Sequence, residues 1–313
     1  MNPSVWRLRR RPYLALLAAG LLIALPSVVG AHRFSDWSTA VLEPNVNSAA
    51  ADGCPIESPD GKRLFIASNR DPVGNPTTDT NDIYVAERPS TDVPFGTPVR
   101  LVEPVNSASP DFCPTPLAGK GLLFVSARAV PGACGAGDMY FTREHPVRGW
   151  EVPVNLGCAA TGTGPNSAGP EFSPSLVETA QGVFLYYSRP GAIGLQDIYV
   201  SQMRADGTFT PGSPAIGMDL NTVGNDQMPN VSRDGLEMVF ASDRGAAVGL
   251  LDIYVATRET TADPWASPVK LGPAVNTAAP ESRPSLSGDG QRLHFGRGGD
   301  IWVSTRSQIT GSD

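Results

Sequence analysis

Beyond the N-terminus, the hydrophobic residues of this chain fall in short runs of strand length, with no long stretch at the 3.6-residue period of a helix. Four runs stand out: Leu64-Phe65-Ile66-Ala67-Ser68, Leu122-Leu123-Phe124-Val125-Ser126, Val183-Phe184-Leu185-Tyr186-Tyr187 and Met238-Val239-Phe240-Ala241-Ser242. Each leads into an arginine (Arg70, Arg128, Arg189, Arg244), and a shortened fifth copy is Leu293-His294-Phe295-Gly296-Arg297. A tight turn precedes most of them, at Asp60-Gly61, Ala118-Gly119, Asp234-Gly235 and Asp289-Gly290, where Gly takes the positive φ of a hairpin. The third copy is irregular, with Glu178-Thr179-Ala180-Gln181-Gly182 in that place. A Gly/Pro-rich loop then leads to a second strand opened by aspartate. These strands read Asp82-Ile83-Tyr84-Val85, Asp138-Met139-Tyr140-Phe141, Asp197-Ile198-Tyr199-Val200, Asp252-Ile253-Tyr254-Val255 and Asp300-Ile301-Trp302-Val303. A further turn carries an aromatic (Phe95, Trp150, Phe209 or Trp265), and a short strand such as Pro268-Val269-Lys270-Leu271 follows.

What links one unit to the next is the motif Asn-[Ser/Thr]-x-x-x-[Asp/Glu]-x-x-Pro. It starts at Asn47, Asn106, Asn166, Asn221 and Asn276, at intervals of 59, 60, 55 and 55 residues. Chance would produce such a match about 0.01 times in a chain of this length, so the five copies mark an internal repeat. Each unit offers four short antiparallel strands. One such sheet cannot cover both of its faces, so the units must stack face to face, and closing the stack into a ring removes the bare ends. The termini fit closure: Trp37-Ser38-Thr39-Ala40-Val41-Leu42 matches a fourth strand, and the chain ends just after Asp300–Val303, where one is missing. The expectation is an all-β, five-bladed β-propeller of four-stranded antiparallel blades, closed by the N-terminal strand completing the last blade.

The N-terminus changes the picture of where the protein works. Arg7, Arg9, Arg10 and Arg11 precede an apolar run from Leu14 to Val29, and Val29-Gly30-Ala31 is a small-residue cleavage site. Residues 1–31 read as a signal peptide, leaving a single domain at 32–313 that is exported to the periplasm or beyond. Arg10-Arg11 also fits a twin-arginine signal, so the export route stays open. The segment 32–313 carries 20 basic and 31 acidic residues, a net charge of −11. That excludes nucleic acid and anionic membrane as partners, because both need a basic surface. No membrane insertion is expected once the signal is removed, and a monomer is expected.

Four cysteines in an exported chain suggest disulfides. Cys134 and Cys158 fall in loops on the same side of the disc and are the favoured pair. Cys54 and Cys113 hold the same position in adjacent units and either pair or remain buried thiols. His32, His145 and His294 lie in unlike segments, so no histidine-based metal or nucleophile constellation is visible. Asp79 and Asp82 lack the spacing of a calcium loop, and no cofactor motif occurs.

Antiparallel running of the strands puts the motif acid, the arginine and the aspartate on one face of the disc. A ring of five carboxylates (Asp52, Asp111, Glu171, Asp226, Glu281) should therefore sit near five arginines (Arg70, Arg128, Arg189, Arg244, Arg297) and the five further aspartates. Since a catalytic residue is needed once and these recur in every unit, the favoured reading is structural: acid and arginine pair within or between blades and hold the loops, and Asn caps a turn through its side chain. The residues that vary between acid and Pro break the symmetry and would flank the channel mouth. Among them Cys54, Phe112, Phe172, Gln227 and Arg283 are the candidate ligand contacts.

The pattern Pro-x-x-Ser-x-Asp-Gly, then apolar strand, Ser-x-Arg and Asp-Ile-Tyr-Val, resembles the TolB-type, WD-like β-propeller repeats of exported bacterial proteins. Ser287-Gly288-Asp289-Gly290 and Ser242-Asp243-Arg244 to Asp252-Ile253-Tyr254-Val255 carry the match, which spans roughly 37–306. The resemblance implies a propeller that binds something and implies no reaction. The function expected is thus a non-enzymatic propeller that binds a protein, a peptide or a cell-envelope glycan through its loop-bearing face. The alternative is a hydrolase similar to the five-bladed arabinanase-type glycosidases, whose Asp, Asp, Glu order on successive inner strands is matched by Asp52, Asp111 and Glu171.

Overall fold

In the computed structural model, residues 34–70, 81–245 and 250–309 are described; residues 1–31, read above as a signal peptide, and Asp79 lie outside them. Each repeat forms one antiparallel sheet, its strands in chain order from the inside outward. Blade one is Asp52–Glu57, Arg63–Ser68, Asp82–Glu87 and Val99–Arg100. Blade two is Asp111–Leu117, Gly121–Ser126, Asp138–His145 and Val154–Asn155, with Gly149–Trp150 folded back on its third strand. Blade three is Phe172–Thr179, Gly182–Pro190, Gln196–Gln202 and Ser213–Pro214. Blade four is Asp226–Val231, Glu237–Ser242, Asp252–Thr257 and Val269–Lys270. Blade five is Glu281–Leu286, Arg292–Arg297 and Asp300–Thr305, and its outer strand is the N-terminal Val41–Leu42. The five inner strands touch one another in a closed ring, so the protein is a five-bladed β-propeller.

The apolar runs are continuous because both faces of each blade are buried. Successive side chains of a strand point to opposite faces. Leu64 and Ile66 accordingly pack with Val46, Tyr84, Phe95 and Ile301 on one side of blade one. Phe65 and Ile83 pack with Leu122, Phe124 and Tyr140 of blade two on the other. Each such large side chain, once fully buried, contributes about 1.5–3 kcal/mol. The irregular third copy, Glu178–Gly182, forms a tight hairpin. Thr179 pairs with Gly182, leaving two residues in the turn, and Gly182 at φ 133° supplies the backbone that another residue could not.

Ring closure has two parts. Val41 and Leu42 pair with Val303 and Trp302, and the segment before them follows the last strand, with Ser38 N–H donating to Thr305 O (2.8 Å). Beside them, Asn47 accepts the Ile301 N–H at 2.7 Å and donates to Ile301 O at 3.0 Å. Cys134 and Cys158 form a disulfide with Cα atoms 5.5 Å apart, while Cys54 and Cys113 are free thiols.

Candidate functional site

The site begins with what the Asn motif does. Asn106 accepts the Ile83 N–H at 2.8 Å and donates to Ile83 O and Leu101 O at 2.9 and 2.7 Å. Asn166 does the same to Met139, Asn221 to Ile198 and Asn276 to Ile253. The amide thus imitates a peptide group, extending the third strand of the preceding blade. The bond to Leu101 O, five residues back, also caps the turn leading into the motif, as the sequence suggested, and Asn276 does the same to Leu271 O. The turn that follows is closed by the acid: Ser107 donates its N–H and its hydroxyl to Asp111 Oδ2 at 2.6 and 2.8 Å. Ser48, Ser167, Thr222 and Thr277 hold Asp52, Glu171, Asp226 and Glu281 in the same way.

Four of the five acids also receive an arginine. Arg128 donates to Asp111 Oδ1 at 2.7 Å and to Val105 O at 2.5 Å, and its guanidinium lies over the rings of Phe124 and Tyr140. Arg70–Asp52, Arg244–Asp226 and Arg297–Glu281 repeat the pair, with every one of these carboxylates buried. The third-strand aspartates are engaged too: Asp82 by Arg100 and Asp252 by Lys270, both at 2.6 Å, and Asp138 by Asn155 at 2.7 Å. Asp197 instead accepts the N–H groups of Ala192, Ile193 and Gly194.

Blade three departs. Glu171 Oε1 keeps the Ser167 hydroxyl at 2.5 Å and its N–H at 2.8 Å, but Oε2 is buried with no hydrogen-bond partner. Arg189 makes no ion pair among the described residues; it donates to Pro165 O at 3.3 Å and lies 4.0 Å over the Tyr199 ring. Burial therefore dominates at Glu171, whose residue has 0% exposure, and lifts its carboxyl to about 7 against the pull of Ser167. Tyr187, buried beside it, is likewise pushed up to about 12. One difference between the blades is visible in the sequence, although it does not by itself decide the pairing. Blades one, two and four read Ser-x-Arg, whereas blade three reads Ser188-Arg189 without the spacer. That places Arg189 directly across from Glu171, rather than two residues beyond the acid's partner as in blade two. Blade five shares the in-register arrangement, and there Arg297 Nε does reach Glu281 at 2.7 Å.

The variable residues between acid and Pro are split by the structure. Each inner strand shifts register just there, forming a β-bulge. The second residue of every pair is left-handed: Cys54 and Cys113 at φ 49°, Ser173 at 48°, Met228 at 59°, Arg283 at 53°. Cys54, Cys113, Ser173 and Arg283 face an axial cavity of about 30 Å³. Phe112 and Phe172 lie outside it as a tilted pair with centroids 6.0 Å apart, Phe112 packed on the core of blades two and three. Gln227 does not line it either. Room for one water-sized molecule is far below the 300 Å³ or more of a small-ligand site. Among the described residues, no group of three or more His, Cys, Asp or Glu is placed to hold a metal ion.

No protein-family model matches the chain, and no curated protein matches it in sequence. Solved structures do match in fold. A thermostable family-43 glycoside hydrolase superposes with a TM-score of 0.54 at 15% identity, covering 87% of this chain and 94% of its own. An endo-arabinase from Bacteroides thetaiotaomicron gives 0.52 at 13%, covering 90% and 99%. An endo-arabinanase from Bacillus licheniformis gives 0.53 at 8%, covering 86% and 97%. At these identities the likeness establishes a five-bladed propeller. It also corrects two expectations: the similar propellers are glycoside hydrolases, not TolB-type, WD-like repeat proteins, and they are enzymes rather than non-enzymatic protein or peptide binders. The reason the repeat misled is physical. The residues behind the resemblance close turns and fill the blade interiors, roles that carry no information about activity.

Proposed function

We propose that this protein is a glycoside hydrolase in which Glu171 donates the proton to the departing glycosidic oxygen. One observation carries the reading: of five equivalent ring acids, Glu171 is the one without an arginine, and burial raises it to about 7. A general acid must hold its proton at the working pH, and such a shift does that. Asp52 and Asp111, tied to Arg70 and Arg128, serve as fixed negative charge toward an oxocarbenium-like transition state. Arabinose- and xylose-based glycans are the first substrates to try, since the matched propellers include arabinases and a xylosidase. Glu171 is wholly covered in this structure, so the reading requires that substrate binding uncover its carboxyl.

The test is hydrolysis of a panel of arabinan, xylan and their aryl glycosides by the purified protein. Glu171→Gln should lower kcat by about 10³-fold or more, and wild-type activity should fall as pH rises through about 7. No hydrolysis anywhere on the panel, or full activity in Glu171→Gln, would sink the proposal.

A further inference from the structure

The axial cavity holds chemistry that the hydrolase reading does not use. Cys54 and Cys113 occupy the same bulge position in neighbouring blades, and their Sγ atoms are 2.6 Å apart. Both are buried, at 5% and 2% exposure, yet both line the cavity. Arg283 enters from blade five with no carboxylate partner among the described residues, and the Ser173 hydroxyl donates to Cys113 Sγ at 3.6 Å. We infer that Cys54 and Cys113 are a redox-active dithiol that hydrogen peroxide, entering the axial cavity, converts to a disulfide joining blades one and two.

Several observations converge on it. Two thiols in van der Waals overlap need little backbone movement to bond, and strands anchored by Asp52–Arg70 and Asp111–Arg128 hold them there. Peroxide is little larger than water, so a cavity of about 30 Å³ admits it while excluding bulky disulfide reagents. The Cys134–Cys158 disulfide marks a chain that meets oxidants. The two sulfurs are also electrostatically unlike. Burial works against ionising Cys113, but hydrogen bonding to Cys54 and the guanidinium of Arg283 outweigh it and draw the thiol down to about 6. Burial, with the Cys113 interaction, pushes Cys54 up.

Arg283 faces both sulfurs, and the Ser173 hydroxyl, donating to Cys113 Sγ at 3.6 Å, favours charge on that one, so Cys113 is the attacking thiolate. Its sulfur forms a bond to one peroxide oxygen as the O–O bond breaks, giving Cys113–SOH and hydroxide, which takes up the proton Cys113 had released. Cys54 then attacks that sulfur; the S–O bond breaks, and the departing hydroxide leaves as water with the Cys54 proton. Two thiols lose two electrons in all, and one peroxide is reduced to two waters.

The experiment is peptide mapping of the purified protein, reduced with a phosphine and then exposed to hydrogen peroxide. A Cys54–Cys113 cross-link should form with one peroxide consumed per link, and Cys54→Ser should leave a dimedone-reactive sulfenic acid on Cys113. Arg283→Met should slow cross-linking by about tenfold, as the thiolate fraction falls. Thiols that stay reduced, or that go to sulfinic acid without cross-linking, would overturn the inference. Dimedone labelling of Cys54 in Cys113→Ser, with none of Cys113 in Cys54→Ser, would overturn the assignment of the attacker. The readout on wild-type protein does not depend on whether any variant folds.

Discussion

Blades two and three start from the same Asn-Ser-x-x-x-acid turn and arrive at opposite electrostatics. In blade two the Ser107 turn and Arg128 together satisfy both oxygens of Asp111, and the arginine also ties down the Pro104 and Val105 carbonyls. In blade three the Ser167 turn is intact, but Arg189 is spent on Pro165 and the Tyr199 ring, leaving one buried oxygen of Glu171 alone. Repetition in this protein therefore reports what the ring needs mechanically. The departure from repetition marks where a carboxyl can keep a proton.

The comparison is sharpest if a single arginine is removed from each blade. Arg128→Met should destabilise the protein by about 3–5 kcal/mol, because it strands the buried Asp111 carboxylate. Chemical denaturation at pH 7 measures it. A cost under 1 kcal/mol would show that the arginines of the four paired blades do not hold the ring.

Glu171→Gln should shift stability in the other direction. A carboxyl whose folded value is raised from 4.5 to about 7 stabilises the fold fully only below the unfolded value, and the contribution is lost as pH rises through about 7. Glutamine does not ionise, so the variant should gain about 3 kcal/mol over wild type at pH 8 and almost nothing at pH 4. Denaturation midpoints across that range provide the check. A pH-independent difference would mean that Glu171 carries no displaced proton equilibrium.

Arg189→Met should have the smallest effect, about 1 kcal/mol, since it loses one long hydrogen bond and a contact with Tyr199 and strands no paired carboxylate. A loss as large as that of Arg128→Met would erase the distinction between the blades.

Particular residues show how far the sequence could be read. Leu64–Ser68 and its equivalents were legible as strands because they are short apolar runs of strand length bounded by Gly turns and repeated along the chain. Trp37–Leu42 was legible as the closing strand, although only Val41 and Leu42 pair as strand residues. The strand-like role of Asn106 was not legible, because its partners lie on Ile83 of the preceding blade. The left-handed backbone at Cys54, Cys113, Ser173, Met228 and Arg283 was hidden as well, since none of these is the glycine that usually announces it.

By itself, then, the sequence determined the number of blades, their strands and the closure of the ring, because these follow from local hydrophobic period and from the need to cover every sheet face. The tertiary structure alone decided which carboxyls carry an arginine and which sulfurs meet at the axis. Both depend on register and on side chains from different blades, over distances at which the chain itself exerts no constraint. The adjacency of Ser188 and Arg189 is visible in the letters; that Arg189 leaves Glu171 buried without an ion pair, while Arg297 in the same register reaches Glu281, is a property only of the folded ring.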